Sequence, residues 1–232
     1  MSDLAERLVR VRERIAAAAA RAGRDPEEVT LVAVSKTVGI DAIREGLEAG
    51  IDHLGENRVQ EFKDKLAALG SAARWHFVGH LQTNKVRHVA GQVELIHSVD
   101  RYGLAEAISR RVTASGKVQE VLIEVNLAGE ASKSGIDPPR LPSLASEIAR
   151  LEGIRVRGVM AIPPAPSSSV SASQDSRVYF KELATLRDLV ASEVPSATEV
   201  SMGMSGDFEV AIEEGATIVR VGEAIFGPRA RR

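Results

Sequence analysis

Apolar residues first recur at helical spacing. Leu4, Leu8, Val11 and Ile15 have the charged Arg7, Arg10, Arg12 and Glu13 between them, which predicts an amphipathic helix ending near Ala20–Gly23. From Thr30 the period changes. Leu31-Val32-Ala33-Val34 is a short β-branched run of the kind that forms a strand buried on both faces. Ile43 and Leu47 then share a helical face within Asp41–Gly50, where Gly50 is placed to end the helix. The same strand-then-helix unit repeats along the chain. Further strands are predicted over His53–Asn57, Trp75–Val78, Val93–Val99, Val118–Asn126, Ile154–Ile162, Thr198–Met202 and Thr217–Gly222. Between them helices are predicted over Val59–Leu69, Lys85–Val89, Leu104–Val112, Leu141–Leu151, Val178–Val190 and Phe208–Glu214.

About eight such strands in one continuous alternation predict a single (β/α)8 barrel over residues 1–232, a fold of typically about 250 residues. A doubly wound open sheet uses the same alternation and is the runner-up. Only Glu223–Arg232 follows the last strand, too little for the usual closing helix, so the N-terminal helix is predicted to fill that place. Pro163–Ser176 is rich in Pro and Ser and has no apolar period. It reads as a mobile loop within the domain rather than a linker.

Composition narrows the function classes. Thirty Lys and Arg against 32 Asp and Glu leave no basic surplus for nucleic acid. With no cysteine there is no disulfide, thiolate nucleophile or Cys-ligated zinc, which fits a reducing cytosol. No apolar run approaches the roughly 20 residues of a membrane helix. A soluble cytosolic protein, monomeric and without nucleic-acid or membrane partners, is the expectation. Aromatic residues make up 3%, so the core must be aliphatic.

In a barrel of this type the site lies at the C-terminal strand ends. Lys36 falls there, on the same strand face as Val32 and Val34, where a partly desolvated amine could attack an aldehyde to form a Schiff base. The bland alternative is a lysine that snorkels to water. Ser201-Met202-Gly203-Met204-Ser205-Gly206-Asp207 combines small residues, hydroxyls and a following helix, the chemistry of a phosphate cradle. With Gly222-Glu223-Ala224 it falls where barrels most often bind phosphate, although a tight loop capped by Asp207 has the same composition. Arg220 shares a face with Ile218 and Gly222 and should point inward, so it needs a partner, for which Glu124 is the candidate. His76 and His80 would lie roughly 13 Å apart on a strand and cannot chelate one ion; no metal site is expected, and most histidines should be surface or packing residues.

A strand-end lysine, a phosphate loop and an inward arginine suggest pyridoxal 5′-phosphate. The sequence resembles the pyridoxal phosphate homeostasis protein family, single-domain relatives of the alanine racemase barrel. The resemblance runs from about Leu31 to Gly227. It is carried by Val34-Ser35-Lys36, Gly55-Glu56-Asn57, His76-Phe77-Val78-Gly79, Leu81-Gln82-Thr83-Asn84-Lys85, Ser132-Lys133-Ser134-Gly135, Arg157-Gly158-Val159-Met160, Ser201-Met202-Gly203-Met204-Ser205, Val219-Arg220-Val221-Gly222 and Ile225-Phe226-Gly227. It implies an alanine racemase-like barrel of fold type III in which Lys36 holds the cofactor as an internal aldimine. Ser201, Gly203 and the Gly222 turn would bind the phosphate, Arg220 would face the pyridine nitrogen, and Asn57 would lie near the ring. Met202 and Ser205 complete the implied cofactor-binding set; no catalytic or metal-binding residue is assigned. A cation at the ring nitrogen weakens the cofactor as an electron sink.

Two functions follow from the resemblance. One is a non-catalytic carrier and regulator that buffers or delivers the cofactor, with pyridoxal phosphate-dependent apoenzymes as candidate recipients. The other is an amino-acid racemase, which needs a second base; the related racemases are described as taking it from a tyrosine on an additional β-domain of the partner subunit, and this chain has only Tyr102 and Tyr179 and no length for that domain. A barrel aldolase using Lys36 on a phosphorylated sugar shares the local features.

Overall fold

Each short apolar run becomes one strand: β1 (Thr30–Val34), β2 (His53–Glu56), β3 (Arg74–Phe77), β4 (Leu95–Val99), β5 (Gln119–Glu124), β6 (Ile154–Met160), β7 (Glu199–Ser201) and β8 (Ile218–Val221). In the computed structural model, which describes residues 2–130, 134–164 and 172–228, these strands pair in sequence order, all parallel, and β1 closes on β8. The barrel reading therefore holds over the open sheet. The helices are α1 (Asp3–Arg21), α2 (Ile40–Glu48), α3 (Val59–Leu69), α4 (Tyr102–Thr113), α5 (Leu141–Ala149), α6 (Ala172–Glu193), α7 (Phe208–Glu213) and α8 (Glu223–Phe226).

Three local expectations are corrected. A 3-10 segment, Thr83–His88, stands where a helix over Lys85–Val89 was expected. The helix after the Pro/Ser-rich stretch begins at Ala172, so that the end of the expected loop is helical; residues 165–171 lie outside the described residues, as do 131–133. The chain after β8 does form a helix, but only of four residues.

Alternation along the strands divides the core. Val32, Leu95, Leu122, Met160 and Ile218 pack together inside the barrel, while a larger aliphatic cluster lies between sheet and helices. The register places His53 beside Val32, His76 beside Leu95, Ser201 beside Ile218 and Arg220 beside Val32, so these polar residues share the inner face.

Helix α1 occupies the seat the short C-terminal segment cannot fill. Its buried stripe is Leu4, Leu8, Val11, Ile15, Ala18 and Ala19, and Ser2 caps it by accepting from Ala5 N. Arg14 makes two 2.8 Å bonds to the Glu209 carboxylate and lies over the Phe208 ring, while Arg7 donates to the Ile225 carbonyl. These contacts fasten α1 to α7 and α8, as the sequence predicts.

Candidate functional site

The strand ends converge on a cavity of about 570 Å3 at the C-terminal mouth, within the size range of small-molecule sites. Lys36 reaches it from a turn just past β1. Val34 also lines it, so the alternation that places Val32 inside the barrel carries through to the lysine. The turn closes through Val38 N to Ser35 O at 2.9 Å and puts Thr37 at φ 64°, a left-handed conformation that β-branched residues avoid. Glu61 accepts the Thr37 N–H at 2.7 Å. Beneath the turn, Ser35 Oγ donates to Glu56 Oε1, and the buried Lys65 ammonium bonds both the Ser35 carbonyl and Glu56. Burial works against the Glu61 anion, yet the Thr37 N–H and Lys65 hold its carboxyl below the usual range. Lys36 therefore sits on a constrained loop with a paired-charge foundation.

The loops after β7 and β8 supply further lining residues. Met204, Ser205, Gly206 and Gly222 line the cavity. Ser205 Oγ accepts from the backbone N–H groups of Gly222 and Ala224, both at 3.3 Å, which ties the loop after β7 to the loop after β8. Asp207 sits at the start of α7 but turns its carboxylate back to the Met204 N–H at 2.7 Å rather than capping the helix. Ser201, Met202 and Gly203 are buried below the rim, outside the cavity lining, so that of the segment expected only Met204, Ser205 and Gly206 face the cavity. Gly203, at φ 86°, lies so close to α7 that a Cβ would meet Ala211 and Phe208 at 2.6 and 2.9 Å.

Arg220 rises from inside the barrel. It donates to Ser201 Oγ at 2.6 Å and to the Ala161 carbonyl at 3.0 Å. The expected ion pair with Glu124 is replaced by these contacts, and Glu124 acts on the guanidinium only through space. Burial pulls the arginine down to about 10, against the fields of Glu124 and Asp207. Glu124 itself is pushed up to about 7 by burial and by Asp100, with Arg220 opposing. Its Oε2 and the Oδ1 of Asn57 are buried, line the cavity and have no hydrogen-bond partner among the described residues. Buried groups in that condition call for a ligand or water. Asn57 is itself fixed by Gly79, where a Cβ would lie 2.2 Å from the Asn57 carbonyl oxygen.

Of the expected set, the mouth thus gathers Lys36, Asn57, Ser205, Arg220 and Gly222. Sequence reasoning did not find the supporting Glu56, Glu61 and Lys65. One signal was available: Lys65 lies one turn from Phe62 on the apolar face of α3. His80, given no role, reaches the rim and lies 2.9 Å from Ser134 Oγ. The exposed His80 and the half-buried His88 lie at the surface, while His53, His76 and His97 pack inside the barrel, where they are also bonded in line, a connection the sequence did not show. At the floor, His53 and His76 come within 4.8 Å of the Glu94 carboxylate, where their facing nitrogens are 2.9 Å apart and bond to each other.

A closed parallel barrel that brings an amine, a buried guanidinium and two tied loops to one mouth is built for a small ligand with an anionic end and a carbonyl. The chain belongs to the alanine racemase N-terminal domain family, whose model matches residues 7–230. Within it stand the pyridoxal phosphate homeostasis proteins, the family the motifs resemble. That of Aquifex aeolicus is 49% identical, with 97% of each chain covered, and that of Escherichia coli K12 is 43% identical over 99% of this chain and 98% of its own. PipY of Synechococcus elongatus, solved with pyridoxal phosphate bound, superposes with a TM-score of 0.84 at 35% identity, covering 97% of this chain and all of its own. Alanine racemase of Clostridium difficile, at 14% identity, TM-score 0.66 and 53% of its own length, shares the fold.

Proposed function

We propose that this protein binds pyridoxal 5′-phosphate at the barrel mouth and serves in keeping the cofactor's intracellular supply, as a cytosolic, monomeric carrier rather than a catalyst. The observation that carries the reading is the joint placement of Lys36, Arg220 and the Ser205–Gly222 tie around a cavity with two unpaired buried acceptors. The donor set fits this cofactor. Ser205 Oγ already accepts two N–H groups, which leaves its own proton for a phosphate oxygen beside the glycine-containing loops. Arg220 presents its cation where an unprotonated ring nitrogen would be stabilised, and Asn57 can turn its amide to a ring substituent. Bound, the cofactor supplies an aldehyde that the Lys36 amine takes up as a Schiff base with loss of water. The bound cofactor in PipY, a relative at 35% identity, supports the same assignment.

The racemase alternative requires a base on each side of a substrate carbon. Tyr102 and Tyr179, the candidates at the sequence level, do not line the cavity, which favours the carrier. Lys36→Ala should remove the visible absorbance and the borohydride-fixed label of the protein loaded with the cofactor. A label retained on another lysine would move the anchor. Deuterium wash-in at the α-carbon of alanine should stay at the uncatalysed rate, and incorporation at enzymatic rates would establish the racemase.

A further inference from the structure

Barrels of this type fill their inward positions with branched apolar side chains. Here a polar column crosses the core. His53 Nδ1 lies 2.9 Å from His76 Nε2, His76 Nδ1 lies 2.9 Å from His97 Nε2, and His97 Nδ1 lies 2.9 Å from Ser201 Oγ. Ser201 Oγ in turn accepts from Arg220 at 2.6 Å. The line runs from the floor of the barrel, where His53 and His76 border a small cavity, to the mouth that Arg220 lines.

A neutral imidazole carries one N–H and one lone pair, so a line of neutral rings must run head to tail in one of two directions. Burial keeps His76 and His97 neutral, with His76 drawn down to about 3. Arginine only donates, so Ser201 must give it a lone pair. The nearby cation polarises the serine O–H and makes it the better donor. That direction turns the lone-pair end of every link toward Arg220, whereas the reverse direction turns N–H groups toward the cation. The floor does not override this. The charges acting on His53 are Glu94, Arg74 and Asp52, and Arg74 faces Glu94 while Arg157 bridges Glu120 and Glu199, with Arg155 also on Glu120. Four acids face three arginines there, and a surplus negative charge at that end draws N–H groups toward itself, the same direction that Arg220 sets.

We propose that Arg220 fixes a single polarity, in which Ser201 donates to His97, His97 to His76 and His76 to His53, all three rings protonated at Nε2. This column of dipoles, rather than a carboxylate, then holds the guanidinium at the mouth. His97 and His76 are positioning residues that act through Ser201. The tautomers stand on the protein alone, and the positioning role toward the ring nitrogen rests on the pyridoxal phosphate reading.

Long-range proton–nitrogen correlation on histidine-labelled, cofactor-free protein near pH 8 should show Nε2–H and a bare Nδ1 for His53, His76 and His97. A proton on Nδ1 of His76 or His97, or a doubly protonated ring, would overturn the assignment. His97→Gln keeps an acceptor and a donor, and should leave pyridoxal phosphate affinity within about threefold. His97→Phe removes both and should weaken it about tenfold or more, the scale of one bond to a charged group. Equal loss in the two variants, or none, would refute the positioning role. If His97→Phe does not fold, the tautomers still decide. If the wild-type protein binds no cofactor while the tautomers are as stated, the functional reading fails and the polarity stands.

Discussion

The lysine turn concentrates more constraint than any neighbouring residue reveals alone. Thr37 holds a left-handed conformation that costs a β-branched residue roughly 1–2 kcal/mol, close to what glycine loses in unfolded-chain entropy when it replaces it. Thr37→Gly should therefore leave urea-unfolding stability within about 1 kcal/mol; a loss above about 2 kcal/mol would show that the threonine is not strained. Lys65→Met is different in kind, because it leaves Glu56 buried without its partner. It should cost about 3–5 kcal/mol in the same measurement, and a neutral result would mean that the pair contributes little. The lysine and the inward arginine were legible in the sequence because strand alternation fixes which way they face. Ser201 was assigned to the phosphate on the family resemblance, its loop having a composition to match. Only the register, which sets it beside Ile218 inside the barrel, shows that its hydroxyl belongs to Arg220.

Among the elements, those with a sustained period were readable and the short ones were not. The α1 stripe appears in the sequence as it does in the fold, since four apolar residues at helical spacing admit one reading. The segment Thr83–His88 has too few turns to show a period, and its apolar Val86 is equally compatible with a 3-10 segment. The seat of α1 gives a direct test of the closure it provides. Leu8 is buried against the outer core, so Leu8→Ala should destabilise the protein by about 2–5 kcal/mol in chemical unfolding. If α1 merely lay on the surface, the loss would stay below about 1 kcal/mol.

For the whole molecule, the polar interior sets the response to pH, and two effects oppose each other. His76 and His97 are held below their ordinary value, so the unfolded chain binds protons that the fold does not. Their contribution is present above about pH 6.5 and is lost as pH falls below it, at about 1.4 kcal/mol per pH unit for each ring, a loss that for His76 runs down to about 3. Glu124, raised from 4.5 to about 7, contributes in the other sense: its stability is present below 4.5 and is lost as pH rises to 7, by about 3 kcal/mol in all. Between 4.5 and 6.5 the two rings outweigh the one carboxyl. Cofactor-free protein should therefore lose stability steeply below pH 6.5 and decline gently from there to 7. In Glu124→Gln the gentle decline should vanish and the acid limb steepen. A urea midpoint that is flat between pH 5 and 6.5 in the wild type would contradict the buried-imidazole account. None of this was readable from residue types, because His76 and His97 lie in apolar strands whose facing partners are set only by barrel closure.

The displaced helix also fixes the order in which the barrel can be finished. A translating ribosome releases α1 first, yet its seat on α7 and α8 is built from Phe208–Phe226, synthesised last. Until then Leu4, Leu8, Val11 and Ile15 have only α2 and the chain around β1 to rest against, and their groove is half built. The nascent chain must carry part of that oily stripe in water, or against a chaperone, until the eighth strand emerges to receive it.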